Sequence, residues 1–532
     1  MISLFSILPI FGLVALFGSL YYLWYRVFSY QGIPKSLAFA TSDGTFLSRG
    51  RASLRSVFGV DSLLWAGHRD HSKKGRPYIL PDIFTGHQVI LPSEQLPWLM
   101  KQPASVLSQR ESNNEFLAAK HTFLNCVAAN DSEWTFVVTM IKDITKELNN
   151  KTNEVLDEIQ CALDSLWGSD TQNWKEVDLL DVCLETMSRI VSRVYVGLPL
   201  CRDPAYLASS THFAKFILVE ALFAQLTPRP LRPLFGPLLA SYDWRQFKRM
   251  DRCVNPIIRE RASKSSPMAM AEGKKDPDEP NDLLQRLMRE AYRRNDDPCR
   301  PQSHSTKLLA ILNWAAIQVQ GITIENTLID IAHAPDSLEI QRQLREEALA
   351  AAQAEPASVR WTRAEVAKLP KMDSVMTESL RLWGFAHGVI KVVVAKEGVE
   401  LPSGEHIPYG AKIGIGSYGL HHDDDVYPGD PFKFEPFRFV NKGKGDEKMS
   451  GLNFPSTSEN YLAFSHGKYS CAGRFFANHL LKLLLSQIVL GYDIKPDTTP
   501  RPQNPWLSYV SPPPIGYKLS IKRRRSGTVD TS

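Results

Sequence analysis

The segment Phe464-Ser-His-Gly467-Lys-Tyr-Ser-Cys471-Ala-Gly473 constrains the fold more than any other stretch of this chain. It stands directly before the last long apolar-periodic run, which reads as a helix from Gly473 to about Leu490. Gly467 and Gly473 allow backbone turns and close approaches that a side chain would block. Cys471 falls at the entry of that helix, where free N–H groups and the helix dipole favour a thiolate. With glycines clearing one side and Phe464 able to shield the sulfur from water, the segment can present sulfur to a flat cofactor. An inert buried cysteine near a helix start is the plain alternative. The chain has seven cysteines, odd in number, far apart and without a C-x-x-C pair. That disfavours a zinc site or a disulfide framework and fits reduced thiols in a body facing the cytosol.

The second constraint is topological. Met1 to Tyr25 carries no charged side chain, and as a helix it would reach ~37 Å, enough for a ~30 Å hydrocarbon core. Tyr21, Tyr22, Trp24 and Tyr25 suit the membrane interface, and Arg26, Lys35, Arg49, Arg51 and Arg55 follow. These cations predict a single-pass anchor with the body on the cytosolic side. A cleaved secretory signal would want a basic start and a shorter apolar core. The formal net charge of +5 is spread along 532 residues with no basic stripe interleaved with aromatics, which argues against a nucleic-acid partner. The run Lys522-Arg523-Arg524-Arg525 reads as part of a solvated tail.

Between these ends the pattern is mostly helical. Residues 75–92 read as a strand pair around a glycine turn. Residues 130–260 read as helices with polar breaks, 226–240 as a proline-rich loop with a greasy surface, and 263–282 as a mobile polar loop. That greasy surface is either tucked into the core or a second membrane contact near a substrate entrance. A long helix from Lys307 to His333 is apolar on most sides and ends before Pro335. Helices at 337–352 and 371–383, strands at 389–395 and 399–416, and an irregular stretch over 421–460 follow. The class is mainly α with minor β: one large catalytic domain over 30–520, an anchor over 1–29 and a tail over 521–532.

Two further motifs change the weight of the cysteine segment. Glu378-Ser-Leu-Arg381 puts an acid and a base on one helix face, and Phe434-Glu-Pro436-Phe-Arg438-Phe439 comes some 50 residues later. With the first segment, they resemble the F-x-x-G-x-x-x-C-x-G, E-x-x-R and F-x-P-x-R-F elements of the cytochrome P-450 family, in the family's order. Arg474-Phe475-Phe476-Ala477 looks like the fungal members. The resemblance implies the cytochrome P-450 fold and haem b, with Cys471 as the iron ligand and cofactor contacts from Phe464, Gly467, Gly473 and Arg474. It implies a buried ion network of Glu378, Arg381 and Arg438. Lys391 stands where the family often places a basic residue on a haem propionate. Tyr469 stands where many members have Arg or His, so a phenol replaces a charge there. Ala386 to Ile390 and Ser508 to Pro512 fall in family substrate-contact zones. The resemblance further implies a monomeric monooxygenase of the endoplasmic reticulum membrane. It would be served by NADPH-cytochrome P-450 reductase and act on an apolar small molecule of fungal specialised metabolism.

The departure from the family lies in the long helix. Where members carry an acid and a threonine over the haem, this chain has Gln318 and Val319, in Ala315-Ala316-Ile317-Gln318-Val319-Gln320-Gly321. Cleaving the O–O bond of dioxygen consumes two protons, and a hydroxyl there positions water to deliver them. Val319 has no donor, Gln318 orients water but does not readily surrender a proton, and Thr323 is one turn away. Three readings stay open: protons from substrate or ordered water with normal oxygenation; rearrangement, coupling or desaturation without net oxygen insertion; or oxygen-independent isomerisation. A haem-binding scaffold or sensor without turnover is the rival from another class.

Overall fold

The computed structural model describes residue 18 and residues 20–41, 45–120, 131–228, 231–273, 279–352, 361–440 and 452–525, with only the backbone given for 131–134. Around the long helix His304–His333 the other helices assemble. Ser303 caps it, its hydroxyl accepting from the Thr306 N–H at 3.3 Å. That cap moves the start three residues ahead of where apolar periodicity alone places it. The helices Leu179–Tyr195, Pro204–Leu226 and Pro370–Leu382 pack on it. Gly321 permits the first of these contacts: a Cβ there would lie 2.7 Å from Leu184 Cδ2. The long helix and Pro204–Leu226 are both long and apolar enough to cross a membrane. Their apolar windows are 78% and 56% buried within the protein, so they serve the body's own core.

The β structure is peripheral. A six-stranded mixed sheet runs in the order Ala38–Phe39, Tyr78–Leu80, Gln88–Leu91, Lys412–Gly416, Gly388–Val393, Leu107–Ser108. The expected strand pair at 75–92 is its antiparallel Tyr78–Leu80/Gln88–Leu91 ladder, turned at Gly86 with φ +91°. The expected strand over 399–416 is three short strands, because Gly404 and Gly410 turn the chain at positive φ. A second sheet joins Tyr492–Ile494, Lys518–Arg523 and Lys175–Asp178.

Three expectations are corrected. The stretch read as a greasy loop at 226–240 is largely helical, Arg232–Leu239, with Pro233 in the first turn where its missing N–H costs nothing. Its greasy surface is outside, since Leu234 and Leu238 are exposed. The polar loop at 263–282 is interrupted by the helix Pro267–Ala271, which buries Met270. Its end is fixed by Asp282, which caps Leu283–Arg293 and pairs with Arg261 at 2.7 Å. Lys522 to Arg524 are no solvated tail: Lys522 and Arg523 lie in a paired strand, Arg523 donates to the Tyr492 hydroxyl at 2.8 Å, and Arg524 pairs with Asp493 at 2.6 Å.

Most of the expected anchor, residues 1–17, lies outside the described residues. From 20 to 28 the chain is helical, and Tyr21, Leu23 and Trp24 are exposed. Arg26 ties this helix to the large sheet, Nε donating to the Ile83 carbonyl at 2.8 Å.

Candidate active site

The cysteine segment is a short helical turn, Gly467–Tyr469, ahead of the helix Arg474–Gly491. Ser465 and Gly467 hold φ of +62° and +61°, a conformation costly for Ser465 and ordinary for Gly467. The loop closes through the Cys471 N–H, which donates to the Phe464 carbonyl at 2.8 Å. The Phe464 ring packs edge-on against Phe454 at 5.3 Å. Arg474 Nη1 donates to the Cys471 carbonyl at 2.8 Å, and its guanidinium covers Phe475. A Cβ on Gly467 would meet nothing within 4 Å, so this glycine borders open space.

Cys471 carries exposed surface, yet burial is the strongest influence on its thiol and pushes the pKa up. Both hold for a side chain deep in the body whose sulfur borders internal space. The backbone N–H groups of Gly473 and Arg474 and the Arg474 charge act in the opposite direction, as the helix entry predicts. Burial outweighs them.

Ahead of this loop in the chain, a fully buried charge network joins the two other motifs. Glu378 and Arg381, both with side chains at 0% exposure, pair at 2.7 Å and 2.8 Å in a two-pronged contact. Arg438 Nε meets Glu378 Oε1 at 3.0 Å. Arg381 also donates to the His421 and Pro431 carbonyls, and the Glu435 N–H donates to Glu378 Oε1 at 3.1 Å. The network expected from the two motifs is therefore present. It clamps the irregular stretch to the helix Pro370–Leu382, where the Phe439 N–H also donates to Ser374 Oγ at 3.0 Å.

Lys391 is not a solvated strand residue. It is fully buried, donates to the Leu99 carbonyl at 2.7 Å, and stands 4.5 Å from the centre of the Tyr469 ring. Burial, with Lys468 nearby, lowers its pKa to about 8. Two residues 78 positions apart, singled out separately as anion contacts, thus meet in one place.

In the long helix, Ala315 is exposed while Ile311 and Val319 are half-buried, each four residues apart. One stripe of a core helix therefore faces open space. Gln318 is buried, and among the described residues no partner reaches its Oε1. Thr323 does not offer its hydroxyl proton freely: it donates to the Val319 carbonyl at 2.7 Å.

The two expected substrate-contact zones are brought together. Ala386 bridges Val510, the His387 N–H donates to the Tyr509 carbonyl, and the Tyr509 hydroxyl donates to the Gly388 carbonyl at 2.6 Å. His387, inside the first expected zone, has its ring 4.6 Å from Tyr509, and sequence reasoning missed Phe116, whose ring lies 4.9 Å from Tyr509. It also missed Asp82, which accepts from Ser508 Oγ at 2.7 Å. No local pattern marks them: they converge from segments hundreds of residues apart.

The site suits a flat, dianionic macrocycle ligated by sulfur. A thiol borders open space, a glycine there has no Cβ, a core helix turns an apolar stripe outward, and a buried lysine waits beside a phenol. Fold and site together define a haem-thiolate protein. The cytochrome P450 family profile matches residues 103–521. The chain is 30% identical to a cytochrome P450 monooxygenase, pbrC, of Penicillium brasilianum, over 94% of each chain. It is also 30% identical to the cytochrome P450 monooxygenase polB of Polytolypa hystricis, over 99% of this chain and 100% of that one. Among solved structures, the crystal structure of a cytochrome P450 (CYP102L1) superposes with a TM-score of 0.61 at 15% identity, covering 87% of this chain and 94% of that one. The chain belongs to the cytochrome P450 family. It is an oxidoreductase of the monooxygenase kind that uses haem ligated by a cysteine thiolate and draws electrons from a redox partner.

Proposed function

We propose that Cys471 would ligate the haem iron and that this enzyme oxidises an apolar small molecule of fungal secondary metabolism. Electrons would come from NADPH-cytochrome P450 reductase. The observation that carries the reading is the sulfur of Cys471 bordering internal space beside Gly467, at the entry of Arg474–Gly491. When bound, haem supplies the electron uptake and dioxygen chemistry that oxidise an unactivated C–H bond. The protein's part is ligation, positioning and exclusion of water. Phe464 and Gly473 would shape the sulfur side, Arg474 fixes the Cys471 carbonyl, and Lys391 with Tyr469 would hold a propionate, the lysine as a point charge and the phenol as a donor. Ala315 and Val319 form an apolar ceiling, Gln318 orients water near it, and Phe116, His387 and Tyr509 bound the substrate.

The body over residues 30–520 is the catalytic unit. Residues 1–29 anchor it, as a monomer, in the endoplasmic reticulum membrane on its cytosolic side. Exposed Phe216, Phe223, Leu234, Phe235 and Leu238 on two neighbouring helices support a second contact with lipid. The purified full chain, reduced under carbon monoxide, gives the red-displaced Soret band of sulfur ligation, and Cys471→Ser abolishes it. A Cys471→Ser protein with unchanged pigment and spectrum overturns the assignment.

A second reading rests on Val319. Without a hydroxyl on that stripe, and with the Thr323 hydroxyl committed to a carbonyl, the usual side chain for proton delivery is missing, and the reading is rearrangement, coupling or desaturation without net oxygen insertion. Labelled dioxygen separates the two: label retained in product supports oxygen insertion, and NADPH-dependent product without label supports the alternative.

A further inference from the structure

Where Ala386 to Ile390 and Ser508 to Pro512 meet, one side chain keeps its polar atoms uncommitted. The Tyr509 hydroxyl donates to the Gly388 carbonyl at 2.6 Å, and the Ser508 hydroxyl donates to Asp82 Oδ2 at 2.7 Å. The His387 N–H donates to the Tyr509 carbonyl, and the His387 carbonyl accepts from the Ser417 and Tyr418 N–H groups at 2.8 Å and 3.3 Å. The His387 imidazole is the uncommitted group. The residue is 1% exposed, yet among the described residues no partner reaches Nδ1 and no hydrogen bond is made by Nε2. Buried polar groups are nearly always paired, so a ring that the protein leaves unpaired is placed to pair with a bound molecule.

Asp82, the acid whose charge reaches this ring, does not hold it. Its Oδ1 accepts from the Phe84 and Thr85 N–H groups at 2.8 Å and 3.2 Å, and its Oδ2 accepts from Thr85 Oγ1 and Ser508 Oγ at 2.6 Å and 2.7 Å. Four donors already fill the acceptor sites of a carboxylate. Burial lowers the His387 pKa well below the ordinary histidine value, while the Asp82 charge and the residue's own carbonyl act in the opposite direction. The ring is therefore neutral, with one N–H donor and one bare nitrogen acceptor. It stands 4.6 Å from the Tyr509 ring, which stands 4.9 Å from Phe116. Tyr509 carries exposed surface although burial raises the pKa of its hydroxyl. That combination, seen also at Cys471, belongs to a side chain deep in the body that borders internal space. Ala386 and Gly388, on either side of His387, are half-buried in the same way.

We infer that His387 sets substrate choice by hydrogen-bonding an uncharged oxygen function, a hydroxyl or a carbonyl, on an otherwise apolar substrate. The bare nitrogen accepts from a hydroxyl, and the N–H donates to either group. A carboxylate is disfavoured, because it would meet a neutral ring within reach of the Asp82 charge. A hydrocarbon end is disfavoured, because it would leave the buried nitrogens unpaired. The substrate therefore reaches this enzyme already oxygenated, the group coming from an earlier oxidation or from the assembly of the skeleton. The inference rests on the haem-thiolate reading above and narrows its substrate class.

The test uses the full chain with its haem and N-alkylimidazoles of graded chain length that end in a methyl, a hydroxyl or a carboxylate group. Binding is read from the optical shift that an azole gives on reaching the haem. At one chain length the hydroxyl-ended probe is expected to bind at least as tightly as the methyl-ended probe of equal length, and the carboxylate-ended probe more weakly. His387→Phe keeps a planar ring and removes both nitrogens. It should lower the hydroxyl-to-methyl affinity ratio at that length about five- to tenfold, with the methyl series nearly unchanged. His387→Gln, which restores a donor and an acceptor, should recover part of the ratio. The carbon monoxide spectrum separates the two levels: a wild-type protein without the sulfur-ligated band fails the haem reading. With the band present, a hydroxyl-ended probe weaker than the methyl-ended one at every length overturns this inference. So does a carboxylate-ended probe as tight as the hydroxyl-ended one, or an unchanged ratio in His387→Phe. If that variant loses pigment, His387→Ala carries the same comparison.

Discussion

Glu378→Gln isolates what the buried charge network contributes. The substitution keeps the shape of the side chain and removes its charge, leaving Arg381 and Arg438 facing a neutral amide. Arg381 retains the His421 and Pro431 carbonyls and a place over the Tyr427 ring at 4.8 Å, while Arg438 retains Glu435 and the Pro428 carbonyl. Neither retains a buried anion. Removing one partner from a buried ion pair costs about 3–5 kcal/mol. Unfolding entropy near 2.1 cal/mol/K per residue, over roughly 500 residues, amounts to about 1 kcal/mol per degree, so the midpoint falls about 3–5 °C. Because a chain of this size unfolds irreversibly, the measure is the loss of the carbon monoxide band with temperature at one fixed scan rate, against wild type. Glu435→Gln is the control: Glu435 is 42% exposed in its pair with Arg438, and its loss costs at most about 1 kcal/mol. A Glu378→Gln protein with wild-type pigment yield and a midpoint no lower than that of Glu435→Gln refutes the claim that this network clamps the irregular stretch to the helix Pro370–Leu382.

Val319→Thr installs a hydroxyl on the open stripe, and the helix already accepts such a bond one turn on, at Thr323; the fraction of NADPH electrons released as hydrogen peroxide should fall, and an unchanged fraction removes the proton-delivery role of this position. Lys391→Met keeps the buried stem and removes the charge. Haem should then be lost to apomyoglobin several times faster, whereas an unchanged rate means that Lys391 touches no propionate. Asp243, fully buried against Glu220, has its pKa raised to about 9, chiefly by burial and then by the Glu220 charge. The folded protein therefore holds a proton that the unfolded chain releases near the ordinary value of 3.8, so stability declines as pH rises from about 4 to about 9. Asp243→Asn should flatten that decline, with a higher thermal midpoint than wild type at pH 8, and equal slopes in the two proteins contradict the buried pair.

The helices were legible because each combines a period with a signal at its end. His304–His333 shows this, with Ser303 at its start and Pro335 after it. The greasy stretch at 226–240 was misread because prolines mark loops on average, yet a proline in the first helical turn gives up no hydrogen bond. The strand Lys518–Arg523 was read through into a tail because a basic run looks solvated until its partners, Tyr492 and Asp493, are known.

By itself the sequence determined the thiol-bearing loop, the acid and bases of the clamp and the missing hydroxyl at position 319, since each depends on residue type at short spacing, which the chain carries locally. Only the tertiary structure decided that Lys391 meets Tyr469, that Ser508 reaches Asp82 and that Phe116, His387 and Tyr509 gather at one place. Those are contacts between segments far apart in the chain, and they exist because packing of the whole core fixes the segments relative to one another, which no local pattern encodes.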